Sequence, residues 1–475
     1  MVPDQSHAFG GGALETSIGP VWLALMVITI VLILVVPRKY VMIPILLCVL
    51  LTPTGQQLYF GGIHWLVYRI VVLVGCLRMI VFRLRTKDGV LAGGFNIVDG
   101  AFLGYVSFQA IGVMLQYKQS QAVINQFGFL VDFLGAYFLL RALIREEADV
   151  YRALKCVAVV TVIVAVGMVR EQMTLQNVFG TLGGVRLIPE IREGKIRSQG
   201  VFQHSITAGT FAATLLPLFI LLWSNGKSKI MAALGIVGST IMTICSYSST
   251  PLLVIVAGMV GVLLWPLRKE MRVIRWGIVI ALLGLAVLMK APVWFVIAHI
   301  DLTGGSSGYH RAELIDQFLR HFGDWWLYGT NEAGKWALDM WDQQNQYVAI
   351  GEAGGLAAIS LFIVLLSRSI ARIGNARKVV DGDKRMEWLL WCLGASLFAN
   401  MVGFFGANYF DQSKVVWFML LAMIMAVTSP ILAGKLPNAA ASAAGRFRVP
   451  HLAYSAPAGI GQSGRRLPHM RMKKE

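Results

Sequence analysis

Charged residues are scarce in this chain. Only 14% of its 475 residues are Asp, Glu, Lys or Arg, whereas a soluble domain carries about 25%. Apolar runs of about 20 residues recur along the whole sequence, and such runs cross a bilayer as helices. The sequence does not show the short segments of alternating apolar and polar residues that are typical of a β-barrel. The composition predicts an all-α polytopic membrane protein and excludes a soluble domain.

Cysteine and histidine are also few. The five cysteines lie inside apolar runs, at no metal-ligand spacing and in no disulfide framework, so we expect small core residues. We expect no metal and no cofactor. Residues 1–19 lack the basic start of a signal peptide, and the first apolar run is long enough to span, so we expect no cleavage there. We also find no internal repeat and no inverted pair of interrupted helices, the pattern of many transporters.

The apolar runs predict about 12–13 transmembrane helices within a membrane domain over residues 20–432. The expected spans lie near residues 20–36, 40–53, 63–82, 95–116, 121–143, 153–170, 205–223, 229–246, 250–266, 273–291, 346–366, 387–405 and 413–432.

The net charge of +17 is distributed unevenly between alternate connections. One set is rich in lysine and arginine, whereas residues 54–62 contain neither and 117–120 contain only Lys118. By the positive-inside rule the first set is cytoplasmic, so the charge orients the chain and does not indicate nucleic-acid binding. The segment 1–19 and the long loops 171–204 and 292–345 are then on the outer side. The basic tail 433–475, expected to be disordered, is inside.

The first long loop carries three arginines, Arg186, Arg192 and Arg197, close to the start of a span. Arginine presents a fixed fork of donors and stays charged, which suits a diphosphate. A cation at this boundary would meet the headgroup of a lipid-linked substrate. The alternative is an arginine that extends to lipid phosphate. For Arg186 and Arg192 both readings stay open.

The second loop contains a helical pattern and a group of aromatic residues. Residues 309–322 predict an amphipathic helix, with Arg311 in its first turn and His310 beside it. The aromatic side chains that follow suit either sugar rings or the membrane interface. They are Trp325, Trp326, Tyr328, Trp336 and Trp341. Asp342, near the next span, is a candidate general base or a helix N-cap.

Three acidic residues lie inside predicted spans. Glu352 has glycines on either side, and an ionisable group at that depth indicates function. For Asp99 and Asp132 we expect instead ion pairs with Arg69, Arg78 or Arg141 that hold the bundle together.

Three stretches, taken in order, resemble the O-antigen ligase and polymerase family of bacterial envelope glycosyltransferases. The first is Arg197-x-x-Gly200-x-Phe202 at the start of a span. The second is Arg311 opening a helix that leads to Trp325-Trp326-Leu327-Tyr328-Gly329, and the third is Asn345-x-Tyr347 followed by Glu352-x-Gly354. The likeness covers about residues 95–430.

The resemblance implies a GT-C-like fold with a large, partly helical periplasmic loop in the bacterial inner membrane. It also implies a metal-independent, inverting transfer of a glycan from undecaprenyl diphosphate to an acceptor hydroxyl, on lipid A-core or on a second glycan. Arg197 and Arg311 would bind the diphosphate, with Arg192 and Arg186 as further candidates. Asp342, Asn345 and Tyr347 would be catalytic. Gly200, His310, Gln344 and Glu352 would support them.

The chain departs from the family at one position, because Gln344 replaces the histidine before Asn345. Glutamine cannot accept a proton, so either Asp342 acts as the base, or the histidine is dispensable here, or this branch does something else. The sequence does not separate ligase from polymerase. A transporter for lipid-linked sugars and a non-catalytic scaffold are the other classes that we consider; membrane lipids are expected partners, and nucleic acid is not.

Overall fold

Most of the chain that the structure describes is helical. The computed structural model describes residues 17–61, 63–86, 89, 91–299, 308–338, 340 and 343–434. Asp342, Trp341, most of segment 1–19 and nearly all of the tail 433–475 therefore lie outside the described residues.

Seventeen α-helices follow one another within the residues that the structure describes. They are α1 (Pro20–Val35), α2 (Arg38–Leu51), α3 (Val67–Thr86), α4 (Ile97–Tyr117), α5 (Ser120–Leu130), α6 (Ala136–Leu143), α7 (Glu147–Thr174), α8 (Val178–Thr181), α9 (Ser205–Ser224), α10 (Lys229–Cys245), α11 (Ser249–Leu263), α12 (Met271–Leu288), α13 (Gly308–Arg320), α14 (Phe322–Trp325), α15 (Gln346–Val379), α16 (Lys384–Gly403) and α17 (Ser413–Leu432).

Two short antiparallel hairpins accompany the helices. The first pairs β1 (Gln57–Phe60) with β2 (Ile63–Leu66), and the second pairs β3 (Glu190–Arg192) with β4 (Lys195–Arg197). A π-helical turn, Val131–Gly135, joins α5 to α6, so that these two helices form one crossing. Because α8, α13 and α14 are short helices within the long loops, thirteen longer helical segments remain in the described chain, one near each expected span.

The connections gather at two opposite ends of the bundle. At the first, Gln412 Nε2 donates to the carbonyl of Thr52 at 2.7 Å, and Gln203 donates to Thr54 at 2.7 Å. We call it the loop end, because residues 171–204 and the described part of 292–345 lie there. At the second, the basic end, Arg38 donates to the carbonyl of Ala142 at 2.7 Å. The connections that these bonds join are ones predicted to share a side.

Eight helical segments in the described chain are long and apolar enough to cross a membrane. They are α4, the α5–α6 crossing Ser120–Leu143, α7, α9, α12, α15, α16 and α17. Three further apolar helices, α1, α10 and α11, are shorter. Two other helices of the bundle are not among these: α2 has only 14 residues, and α3 carries four arginines. The protein is thus an all-α, multi-pass membrane protein.

The core of the bundle lies around α9 and α17. In each of these helices 89% of a span-length window is buried, whereas in α12 none is buried. Phe102, stacked on Tyr137 with centroids 4.0 Å apart, and Phe418 against its edge link α4, α6 and α17. The five cysteines are free, and three of them are fully buried, as expected of core residues.

Two intramembrane ion pairs confirm the prediction for the buried acids. Arg141 donates to both carboxylate oxygens of Asp99, at 2.9 and 3.1 Å, and Tyr137 donates to the same carboxylate at 2.6 Å. Arg69 binds Asp132 through two bonds of 2.9 Å. Both side chains of the Asp99–Arg141 pair have no solvent exposure. Removing one partner would leave the other charge buried and unpaired, which is strongly destabilising.

Arg141→Met therefore lowers stability by about 3–5 kcal/mol. Arg83→Met, an exposed arginine at the end of α3, is the matched control and changes little. Both are measured by size-exclusion chromatography of the detergent-solubilised protein after heating. Asp99→Asn combined with Arg141→Met recovers part of the loss, since no isolated charge remains. Equal melting of Arg141→Met and Arg83→Met would show that the pair does not hold the bundle.

Candidate functional site

Arg197 is placed by a tight hairpin. The turn Glu193–Gly194 has positive φ at both residues, 50° and 73°, the geometry of the commonest two-residue hairpin turn. The pairing register puts Arg197 opposite Glu190, and Arg197 Nη1 donates to Glu190 Oε1 at 2.9 Å. Arg197 is 6% exposed. The Nε–H of the Arg197 guanidinium is buried and remains without a hydrogen-bond partner among the described residues.

Gly200 is held by a buried carboxylate that the sequence did not single out. Its N–H donates to Glu171 Oε2 at 3.0 Å, and the N–H of Gln199 donates to the same carboxylate. The carbonyl of Gly200 accepts from Asn177 Nδ2 at 2.7 Å. Gly200 has φ +59°, and a Cβ there would lie 2.9 Å from Val164 Cγ1. Only glycine fits this position.

Arg186 and Arg192 are both exposed. Arg192 lies at the hairpin turn, opposite Lys195, and neither arginine takes part in the packing that buries Arg197. Their assignment to diphosphate binding stays a prediction.

The amphipathic helix of the second loop is α13, close to the predicted bounds. Leu314 and Phe318 are buried, whereas Leu319 and Phe322, near the end of the predicted helix, are exposed. Arg311 is 6% exposed in the first turns of α13. His310, beside it, is half-buried.

The loop that follows α13 packs into a break in α15. Gly355 has φ +69° and ψ −167°, a conformation essentially restricted to glycine, and it interrupts the helix. The N–H of Leu356 donates to the carbonyl of Trp326, and the N–H of Thr330 donates to the carbonyl of Glu352, both at 2.8 Å. Backbone groups near the break are thus bonded by the loop, as the membrane requires.

A single side chain from α4 joins the loop to the broken helix. Gln116 Nε2 lies 2.9, 3.0 and 3.2 Å from the carbonyl oxygens of Tyr328, Glu352 and Ala353. The loop, α4 and α15 are therefore fixed together at one point.

Asn345 and Tyr347 have identified structural contacts. Asn345 is the N-cap of α15, because its Oδ1 accepts from the N–H groups of Tyr347 and Val348 at 2.9 and 3.2 Å. The Tyr347 hydroxyl donates to the carbonyl of Met401 at 3.1 Å. These bonds orient the start of α15. A catalytic role for either residue stays a prediction.

Glu352 and Asn345 are both almost fully buried, each 1% exposed. Gln343 Nε2 donates to Glu352 Oε2, and Glu352 Oε1 has no hydrogen-bond partner in the described chain. Gln344, at the position where the family that the sequence resembles has histidine, is half-buried. The amide that contacts this carboxylate thus comes from the residue before Gln344.

Residues 404–412 lie between the helices that follow the two arginine loops. The N–H of Gln346 donates to the carbonyl of Phe404 at 2.8 Å, on the α15 side. Thr207 Oγ1 donates to buried Asp411 Oδ2 at 2.7 Å, on the α9 side. This connection brings the starts of α9 and α15 together. Sequence reasoning passed over it, although an acidic residue between two spans is a visible signal.

The loop end presents no metal-binding group within the described residues: no three His, Cys, Asp or Glu side chains come together. The one Asp-x-Asp pair, Asp381 and Asp383, lies at the basic end, where Asp383 caps α16.

The fold is that of a multi-pass helical membrane protein. Its loop end carries two buried arginines, Arg197 and Arg311, in the two long loops. No protein-family model matches the chain, and no curated protein matches it.

Gly200→Ala lowers the melting temperature of the purified protein more than Gly226→Ala does. Both glycines have positive φ, so each substitution costs about 1–2 kcal/mol in backbone strain. Only at Gly200 does the new methyl group meet other atoms, which adds about 1–3 kcal/mol, whereas nothing lies within 4 Å at Gly226. Similar melting of the two variants would show that the packing around Gly200 is loose.

Proposed function

We propose that this protein is a membrane glycosyltransferase of the O-antigen ligase and polymerase type, with a GT-C-like fold. It moves a glycan from undecaprenyl diphosphate to a hydroxyl of lipid A-core or of a second glycan. The reaction takes place at the loop end, on the periplasmic side of the bacterial inner membrane. The N-terminus is then periplasmic and the C-terminus cytoplasmic.

The selective burial of two arginines carries this proposal. The two long loops contain five arginines: Arg186, Arg192, Arg197, Arg311 and Arg320. Arg197 and Arg311, which the family resemblance selects, are each 6% exposed. The other three are exposed, and 69% of the Arg320 side chain is accessible. A buried guanidinium needs partners, as Glu190 provides for Arg197, so this pattern favours a specific role for the two arginines over general surface charge.

The proposed chemistry requires fixed cations near the leaving group. Charge accumulates on the lipid diphosphate as the glycosidic bond breaks, and preorganised donors stabilise that charge. Arg197 is held by Glu190, whose side chain is 43% exposed. A phosphate oxygen can compete with this carboxylate for the same guanidinium, while the hairpin keeps Arg197 in place.

Arg197→Ala and Arg311→Ala each reduce transfer by about 10²–10³-fold, the usual loss when one charge-stabilising donor is removed. Arg320→Ala, in the second loop, serves as the control and retains activity. The readout is the length and attachment of surface polysaccharide on gels, with membrane protein level measured in parallel. Full activity in both alanine variants would eliminate the proposed clamp.

The general base is tested at Asp342, with buried Glu352 as the comparison. Asp342→Asn reduces transfer if Asp342 accepts the proton from the acceptor, and a shift of the pH profile distinguishes this from misfolding. Glu352→Gln is the comparison, because it keeps the shape of a buried side chain that already contacts Gln343. Unchanged transfer in Asp342→Asn would assign the proton to another group.

One observation favours a second function, transport of lipid-linked sugars. Broken helices with exposed backbone ends form the substrate sites of many transporters, and α15 is broken beside buried Glu352. In reconstituted vesicles, movement of a lipid-linked oligosaccharide between leaflets without any glycosidic bond formation would support this alternative. Formation of product when the donor is confined to one leaflet supports the transferase.

A further inference from the structure

The loop end contains a cavity that the proposed transfer does not assign. Its volume is about 430 Å³, within the range of small-molecule sites. The residues that decide its chemistry are Lys118, Asp324, Tyr328, Asn331, Lys335 and Trp336. We propose that this cavity binds a sugar ring of a glycan. The inference rests on the proposed function and names where part of its carbohydrate is held.

The aromatic wall is fixed in orientation. The Trp336 ring stacks on His321, with centroids 5.0 Å apart and planes 10° from parallel, so one face is covered. Its Nε1 donates to Asp324 Oδ2 at 3.2 Å. The remainder of the ring borders the cavity together with Tyr328. Aromatic planes of this kind pack against the C–H faces of sugars, and a ring that is already fixed loses little entropy on binding.

The polar groups match hydroxyls better than phosphate. Two cations, Lys118 and Lys335, face two carboxylates, Asp324 and Glu332, so that the charges cancel. Lys335 already pairs with Glu332 at 2.8 Å. An anion would therefore meet as many carboxylates as ammonium groups. A sugar hydroxyl, which both donates and accepts, can bond with either kind.

The polar side chains of Asn331 and Lys118 at the cavity are free to bind a ligand within the described chain. Asn331 and Lys118 are both exposed and form no bond there. Asn331 offers a donor and an acceptor on one planar amide, which is the pairing that adjacent sugar hydroxyls require.

The floor of the cavity is rigid because it is part of the bundle. Gly329 and Thr330 line it, and the N–H of Thr330 donates to the carbonyl of Glu352 in α15 at 2.8 Å. Gln116 of α4 also lines it and donates to the Tyr328 carbonyl. A ligand in this cavity would therefore contact backbone that is already anchored beside the break in α15.

Binding is measured directly on the full-length protein in nanodiscs, by calorimetry and saturation-transfer NMR. The probe is the set of oligosaccharides released by mild acid from the surface polysaccharide of the cells that make this protein; they carry no lipid and no diphosphate. Trp336→Ala weakens binding about tenfold, and Asn331→Ala, an exposed side chain whose loss leaves the fold intact, also weakens it. Trp326→Ala is the matched control, since Trp326 is 46% exposed on the same loop and does not line the cavity.

The outcomes separate this inference from the proposed function. Wild-type binding that both Trp336→Ala and Asn331→Ala weaken supports the cavity. If both cavity variants weaken binding while Arg197→Ala and Arg311→Ala both leave the surface polysaccharide unchanged, the transferase proposal fails and the sugar site stands. If Arg197→Ala alters the polysaccharide but the wild type does not bind the probe, or if both cavity variants bind as the wild type does, the sugar site is wrong and the transferase proposal stands.

Discussion

The break in α15 at Gly355 is the constraint on which the loop end depends. In a bilayer a backbone group without a partner costs several kcal/mol, so a helix can be interrupted only where other groups complete its hydrogen bonds. Here the loop after α13 does so through Trp326 and Thr330, and Gln116 of α4 adds its side-chain amide. The long loop is therefore part of the bundle and is held at the depth of Glu352.

The arginines of this protein occupy two kinds of environment, and the difference separates fold from function. Arg141 and Asp99 bind each other through two bonds with no exposed surface, so exchange with a ligand would strand a buried charge. Arg197 has a single bond to Glu190, a half-exposed partner, and its Nε remains without one. The first arrangement fixes helices. The second holds a cation in position while leaving it open to another anion.

Local patterns predicted the elements, and non-local contacts determined the site. Runs of apolar residues located the long helices, and helical spacing located α13. The partners of Asp99 and Asp132 could be narrowed to three arginines, since buried charges need pairs. The carboxylate of Glu171, by contrast, binds backbone N–H groups 28 and 29 residues later. Nothing in its neighbouring sequence indicates that contact.

The chain has Gln344 where the family that it resembles has histidine. The effect of this difference on the proposed transfer depends on how far the reaction needs a base. A hydroxyl attacks with little prior proton removal when the leaving group departs readily, and a diphosphate departs readily once its charge is neutralised. Under the proposed transfer, two buried arginines carry that stabilisation, and proton removal becomes the smaller part of the barrier. Gln343 donates to Glu352 and so keeps that carboxylate oriented. The absence of the histidine is thus compatible with transfer, provided that Arg197 and Arg311 both bind the diphosphate.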